Sequence, residues 1–280
     1  MRILLLSIFL FSARLSMANR IDELRTEEEI SHFADSLSNH NCLFPKHYIP
    51  GQLQFKFLKI DIDKNGSTDL LVNDRQVFAI VDKGNDQYNL QYIGSWYQER
   101  RIMGIDTSGP LPLLFIKKQN GYKKADGPQF PDGPDTITYK FQGFIEYNSA
   151  PSTIDPEYIK FTTSPCRGTC PVFELFILGN GKAFLHAKGY LKRIGQFQTT
   201  LSTDSHKEFI NLVNYINPNK LNYEYRVEVS DQQSIETEIR LNGKTKQVYD
   251  YGQTGTLGLQ QLYLLVEKLI DGEQWQTRKE

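Results

Sequence analysis

The fold of the second half of the chain is decided by the stretch VFELFILGNGKAFLH, residues 172–186. Its two strand-like runs, Phe173–Leu178 and Lys182–His186, flank the tripeptide Gly179-Asn180-Gly181. Asn-Gly between such runs is the strongest short-range signal of a β-hairpin, because the turn needs positive φ angles. The stretch therefore predicts two antiparallel strands joined by a tight turn.

The same pattern recurs nearer the C-terminus, where Asn-Gly separates Ser234–Leu241 from Lys244–Tyr251. A helix is predicted between the two hairpins, since Ser205-His206-Lys207-Glu208 has the spacing of a capping box and Pro218 ends the apolar stripe. A last helix is marked by an apolar stripe at helical spacing. These elements predict an α+β domain over residues 151–280, with two helices packed on an antiparallel sheet.

The first half of the chain has a different pattern. Thr26-Glu27-Glu28-Glu29 has capping-box spacing before a helical apolar stripe, which predicts an N-terminal helix. From residue 54 to about 148, short apolar or alternating runs separated by turn residues predict antiparallel β-structure. Because residues 148–156 are polar and contain two prolines, we expect residues 19–150 to form a separate β-rich domain.

Composition limits the class of protein. The chain has 280 residues, of which 39% are hydrophobic and 12% aromatic, so it is globular and not disordered. The net charge is -1 and no basic tract is present, which argues against nucleic acid as a partner.

The N-terminus predicts export. Arg2 precedes an apolar run over residues 3–13, which is too short to span a bilayer but has the length of a secretory h-region. Ser16-Met17-Ala18 then offers small residues where a signal peptidase cleaves. We expect residues 1–18 to be a signal peptide, and the mature chain to be periplasmic or extracellular without a membrane span. A buried N-terminal helix is the alternative.

The motif with the most direct chemistry is Asp61-Ile62-Asp63-Lys64-Asn65-Gly66-Ser67-Thr68-Asp69. Calcium is a hard cation that prefers several oxygen ligands, and alternate residues of a tight turn point inward together. Gly66 permits the sharp bend. The predicted Ca²⁺ ligands are the side-chain oxygens of Asp61, Asp63 and Asn65, the backbone carbonyl of Ser67, and the carboxylate of Asp69, directly or through water.

This loop differs from an EF-hand, because its twelfth position is Val72 instead of Glu and strand-like runs flank it. Over residues 57–73 it resembles the strand–loop–strand calcium turns of FG-GAP and VCBS-type repeats. The resemblance implies a secreted or cell-surface protein with a structural calcium ion. A solvated, acid-rich turn is the alternative. Residues 103–115 repeat the pattern weakly, by decayed duplication or by chance.

The chain has three cysteines, Cys42, Cys166 and Cys170. In an oxidising compartment a close pair is more typical of a disulfide than of a redox centre, so we expect Cys166 and Cys170 to pair. A reactive dithiol and a metal site are the alternatives. Cys42 is expected to be a free thiol in a loop, although His40 and His47 beside it also have ligand spacing.

The region around the cysteine pair resembles a known family. Cys166-x-Gly-x-Cys-Pro, the strand after it, the two Asn-Gly hairpins and the two helices are similar to the bacterial family called domain of unknown function 6438. The similarity extends from Tyr158 to Trp275. It implies an exported bacterial protein of unassigned activity and supplies no catalytic residues.

Motifs of the common hydrolases, metalloproteases and nucleotide-binding proteins do not occur in the sequence. We therefore expect a calcium-stabilised, non-catalytic binding or scaffolding module, whose partner is an unknown protein or envelope ligand. Two alternatives are an envelope hydrolase with its site between the domains and a thiol-redox protein using Cys166 and Cys170. Binding predicts an exposed apolar patch, an enzyme predicts a cleft of convergent titratable groups, and redox chemistry predicts accessible cysteines.

Overall fold

The computed structural model describes residues 19–38, 56–74, 77–94, 98–120 and 134–278. The expected signal peptide lies outside these residues, and so does Cys42 with its neighbours His40 and His47. Among the helices in the described ranges, none is both long enough and apolar enough to cross a membrane.

Two short helices, α1 (Arg20–Glu23) and α2 (Glu27–Leu37), open the described chain. Thr26 caps α2, as the sequence predicts: its hydroxyl accepts a hydrogen bond from the backbone N–H of Glu29 at 3.2 Å. In return the Glu29 carboxylate accepts the backbone N–H of Thr26 at 2.9 Å, which completes the capping box. The helix therefore begins at a position that local hydrogen bonding determines.

Two four-stranded antiparallel sheets follow, and each is a meander in which neighbouring strands are consecutive in sequence. Sheet A contains β1 (Phe57–Ile60), β2 (Asp69–Asn73), β3 (Val77–Asp82) and β4 (Tyr88–Tyr92). Sheet B contains β5 (Gln98–Asp106), β6 (Leu113–Asn120), β7 (Pro134–Lys140) and β8 (Gly143–Glu146). The prediction of antiparallel β-structure in this half of the chain is confirmed.

The two meanders pack on each other. Successive side chains of a strand point to opposite faces, so Leu70 and Leu71 belong to different layers. Leu71 and Ala79 of sheet A join Leu114 and Ile116 of sheet B in one buried cluster. Leu70 lies on the other face of sheet A, which packs against α1 and α2. The layers are thus helices, sheet A and sheet B.

The remaining strands form sheet C, in the order β13-β15-β14-β9-β10-β11-β12-β16. Neighbouring strands are antiparallel except for the β13–β15 pair. The strands are β9 (Tyr158–Thr163), β10 (Val172–Leu178), β11 (Lys182–Gly189), β12 (Gly195–Thr200), β13 (Glu224–Arg226), β14 (Ser234–Leu241), β15 (Lys244–Tyr251) and β16 (Gln276–Thr277). The sequence boundary expected at residue 150 falls between β8 and β9.

Two helices, α3 (Thr203–Ile216) and α4 (Leu257–Gly272), share one buried core with sheet C, and a 3-10 turn, Pro218–Lys220, follows α3. Strand-rich antiparallel sheets with a few helices agree with the α+β prediction. The predicted start of α3 at Ser205 is wrong, because Ser202 offers the same cap one turn earlier and accepts the backbone N–H of Ser205 at 3.2 Å.

The hairpin turns differ in their backbone conformation. Asn242 and Gly243 both have positive φ, +49° and +74°, which a two-residue turn between strands requires. The turn between β10 and β11 has three residues and a positive φ of +82° at Gly181 alone. A third residue allows the first two to keep ordinary φ angles and places the left-handed residue last.

β8 of sheet B contacts the first turn of α4. The Glu146 carboxylate accepts the backbone N–H groups of Leu257 at 2.8 Å and Gly258 at 2.9 Å. Ile145 and Ile216 pack closely on Gly258, where an added Cβ would lie 2.5 Å from Cγ2 of Ile216. The close approach of α4 to both neighbours therefore depends on glycine at this position.

Gly258→Ala is expected to lower the free energy of unfolding by about 1–3 kcal/mol, because the methyl group overpacks the contact with Ile216. Gly272→Ala in the same helix is the matched control, since a Cβ there meets nothing within 4 Å. Urea denaturation of both variants measures the difference. Equal stability of the two would contradict this account of the junction.

Candidate functional site

The acidic loop, residues 61–69, connects β1 to β2. One carboxylate oxygen from each of Asp61, Asp63 and Asp69 lies within 4.8 Å of the other two. Strand pairing explains this convergence, because Ile60 and Asp69 face each other at the end of the β1–β2 ladder. The loop therefore starts and ends at neighbouring positions and brings its acidic side chains together.

Asp69 is fully buried and holds two separate segments. Its carboxylate accepts the backbone N–H of Ile62 at 2.7 Å with one oxygen and that of Asp82 at 2.8 Å with the other. Burial raises the pKa of Asp69 to about 7, the two backbone hydrogen bonds oppose this shift, and the charges of Asp63 and Asp61 add to it. A nearby cation would favour the charged form of this carboxyl group.

The turn itself is held by Asp61 and Asn65. The Asp61 carboxylate accepts the backbone N–H groups of Asn65 and Gly66, both at 3.1 Å. Oδ1 of Asn65 accepts the N–H of Ser67 at 2.7 Å, and its Nδ2 donates to the carbonyl of Asp82 at 2.7 Å. Gly66 has a φ of +88°, a conformation that side chains disfavour, as the predicted bend requires.

The structure brings the side chains of three of the five predicted ligand residues together, and the other two lie in the same loop. Asp61, Asp63 and Asp69 converge with their carboxylates. Asn65 lies in the same turn, but its amide is engaged with Ser67 and with the neighbouring strand. Ser67 is half-buried beside it. Three carboxylates thus form the centre of the candidate site.

The sequence analysis did not predict that a lysine side chain, that of Lys83, contacts the acidic cluster. Nζ of Lys83 lies 3.1 Å from Oδ2 of Asp63 and donates to the hydroxyl of Tyr139, in sheet B, at 2.9 Å. Burial acts to lower the pKa of Lys83, but its hydrogen bonds to Tyr139 and Asp63 outweigh this and raise it. The β2–β3 hairpin is the signal that could have found it, because the pairing of Leu70 with Ile80 carries the end of β3 to the acidic loop.

The donor set suits a hard divalent cation, because all its ligand atoms are oxygens. Among the described residues, the ammonium group of Lys83 is in direct contact with the acidic cluster and offsets one of its three negative charges. The residues that would hold such a cation are Asp61, Asp63 and Asp69.

Cys166 and Cys170 form the second feature that the sequence singled out. Their sulfur atoms are at disulfide-bonding distance, their Cα atoms are 5.8 Å apart, and both residues are half-exposed. Gln233 closes the same loop a second time, since its amide donates to the carbonyls of Ser164 at 3.1 Å and Pro171 at 2.7 Å. The cysteine pair therefore shares its structural role with a side chain from a distant segment.

A second buried carboxylate lies in the core of sheet C. Asp250 accepts the backbone N–H groups of Thr254 at 2.8 Å and Gly255 at 3.1 Å. Burial raises the pKa of Asp250 to about 6, against the opposing effect of these hydrogen bonds and of the Tyr263 hydroxyl. Asp250 thus fixes the turn that leads into α4.

A groove of about 410 Å³ lies between the edge strand β4 and α4. Glu208 and Lys268 are its charged lining residues, and they form an ion pair at 3.8 Å. Tyr92 and Leu264 line it with exposed apolar surface. Carboxamides line much of the rest: Asn89, Gln91, Gln142, Gln260 and Gln261. This lining is suited to binding by hydrogen bonds and apolar contact.

These features define a class of protein: a two-sheet β-sandwich with an acidic loop, joined to an α+β domain with a cysteine pair. Residues 157–270 match the family model described as Domain of unknown function (DUF6438). The match confirms the resemblance over the C-terminal half. Neither a search of curated proteins nor one of solved structures gives a match.

Replacing both Cys166 and Cys170 by Ser is expected to lower the free energy of unfolding by at most about 2 kcal/mol, the loop-closure value for about five residues. The loss is small because the closed loop is short, and Gln233 still holds the loop in the folded state. Adding Gln233→Ala to the double variant should lower stability further. Urea denaturation measures both steps, and complete unfolding of the cysteine variant alone would contradict this account.

Asp250 is expected to make stability depend on pH. Because its pKa in the fold is about 6, above the ordinary 3.8, the folded state binds more protons between these values. The contribution of Asp250 is therefore complete below about pH 4 and is lost as the pH rises through about 6. A change of pKa from 3.8 to about 6 corresponds to about 3 kcal/mol in the free energy of unfolding.

Asp250→Asn should remove this part of the pH dependence, since an amide does not titrate. Urea denaturation from about pH 4 to about pH 7 gives the comparison. The difference between wild type and variant isolates Asp250, because Asp69 contributes with the same sign in both proteins. Parallel pH profiles would show that Asp250 has no such role.

Proposed function

We propose that the protein is an exported, non-catalytic module of the bacterial envelope, which calcium stabilises and which binds or scaffolds a protein or other envelope ligand. The convergence of the Asp61, Asp63 and Asp69 carboxylates carries the proposal. The signal-like sequence of residues 1–18 supports export. The resemblance to an exported bacterial family agrees with this location.

Calcium at this loop would act as a structural ion by coordinating the oxygens and offsetting their repulsion. The chain's own residues then hold the hairpin in place. An ionised Asp69 is a stronger acceptor for the N–H groups of Ile62 and Asp82 than a neutral one. Because Asp82 is in β3, Asp69 ties the acidic loop to a strand on the far side of β2.

Binding is supported by the groove between β4 and α4. Its carboxamides are uncharged polar groups, although those of Gln260 and Gln261 already donate within the protein, and its exposed Leu264 offers apolar contact. The Glu208–Lys268 pair satisfies its own charges. An uncharged ligand surface therefore fits this groove better than a reaction that needs a free acid or base.

Calcium titration by calorimetry is expected to give a dissociation constant of about 10⁻⁴–10⁻³ M, in the range of extracellular modules. Asp63→Asn should weaken binding by about tenfold or more, because it removes one negative charge from the cluster. Lys83→Gln should strengthen binding, because it removes the ammonium group from Asp63. Opposite changes in charge must therefore move the affinity in opposite directions.

Asp106→Asn is the matched control, since Asp106 ends β5 in the weak copy of the motif and accepts the N–H of Ser108 at 2.9 Å. Its affinity should equal that of wild type. The double variant Asp61→Ala/Asp63→Ala should give no calcium heat, and calcium should not raise its melting temperature. Equal heats for this variant and wild type would remove calcium from the proposal.

A further inference from the structure

Three loops meet at one end of sheet C. The cysteine loop, residues 164–171, lies beside the β11–β12 loop, because Val172 pairs with Gly189. It also lies beside the loop of residues 227–233, where the N–H of Arg167 donates to the carbonyl of Asp231 at 3.1 Å. The cysteine pair therefore stiffens the middle loop of this surface.

The loop between β11 and β12 consists of residues 190–194, called the tip below. It carries apolar side chains that are exposed to solvent. Tyr190 is 61% exposed and Ile194 is 60% exposed. Tyr190 has a positive φ of +57°, so the chain turns sharply at this residue. Leu191 between them packs on the core of the domain and anchors the tip from inside. The two exposed side chains therefore project from a fixed base.

The tip is also basic. Lys192 and Arg193 lie within it, and residues 190–194 contain no acid. Lys192 forms an exposed ion pair with Asp271 at 2.7 Å, and such pairs are weak enough to exchange for another anion. The guanidinium of Arg193 lies 6.0 Å from the ring centre of Phe197. The 227–233 loop carries two exposed acidic residues, Glu228 and Asp231, and the strand order places this loop and the tip on opposite sides of the cysteine loop.

We propose that the tip docks the protein on the anionic surface of a phospholipid bilayer. An aromatic and an aliphatic side chain on a projecting turn fit the boundary between headgroups and acyl chains. Lys192 and Arg193 beside them match the negative charge of the phosphates. Five residues offer far less area than a stable protein–protein interface needs, which favours lipid as the occupant.

Co-sedimentation with vesicles tests the proposal, using phosphatidylcholine alone and an equal mixture with phosphatidylglycerol. The full chain is expected to bind the mixed vesicles more tightly. Ile194→Ser should weaken this binding by about tenfold, because it removes an apolar side chain from the bilayer. Lys192→Gln/Arg193→Gln should weaken binding to the mixed vesicles by about fivefold per charge.

Met103→Ser is the matched control, because Met103 is 54% exposed but lies in β5 of sheet B, away from the tip. Its binding should equal that of wild type. All variants keep residues 1–18, so any effect of that apolar run is common to them. Thermal melting followed by circular dichroism verifies that each variant is folded. Addition of a calcium chelator should leave vesicle binding unchanged, so this proposal and the calcium site fail separately.

Equal binding of the Ile194→Ser and Met103→Ser variants would overturn the proposal. So would equal binding of wild type to the two kinds of vesicle. Light scattering without vesicles gives a further outcome. If wild type self-associates through the tip and Ile194→Ser abolishes this without any lipid binding, the tip is a protein interface and the proposal is wrong.

Discussion

The carboxylate of Glu146 accepts the free N–H groups at the start of α4, and this contact joins sheet B to a helix that packs on sheet C. The first turn of a helix has donors without partners inside the helix and the positive end of its dipole. Glu146, at the end of the last strand of sheet B, accepts two of these N–H groups and places a negative charge at the positive end of the dipole. The same carboxylate also interacts electrostatically with the buried Arg100. Burial lowers the pKa of Arg100, whereas the charges of Glu146 and Asp135 oppose that shift.

A second charged contact connects the two sheets of the sandwich. Lys83 follows β3 of sheet A, pairs with Asp63 in the acidic loop and reaches the Tyr139 hydroxyl in sheet B. Burial, the largest effect, raises the pKa of Tyr139, so its hydroxyl stays neutral and accepts the ammonium hydrogen. A change of charge at Asp63 therefore alters the environment of Lys83, which contacts Tyr139 in sheet B.

Local signals predicted the parts of the structure that local physics controls. Asn242-Gly243 forms a turn because both residues accept positive φ, and Thr26 caps α2 because its hydroxyl reaches the N–H of Glu29. The convergence of Asp61 with Asp63 and Asp69 follows from the β1–β2 hairpin, whose pairing brings the two ends of the acidic loop together. Lys83 and Gln233 could not be predicted in this way, because their contacts depend on which strands pair and which sheets pack. The order of sheet C was equally beyond local patterns.

The position of β9 between β14 and β10 determines when the pairing of sheet C can be completed. One neighbour, β10, follows it directly, but the other, β14, begins about 70 residues later, as the contact between Ser164 and Ser234 shows. A chain that emerges N-terminus first from the ribosome keeps one edge of β9 unpaired until most of the polypeptide has appeared. Pairing over such separations is slow. The nascent domain therefore cannot complete sheet C until β14 has been synthesised.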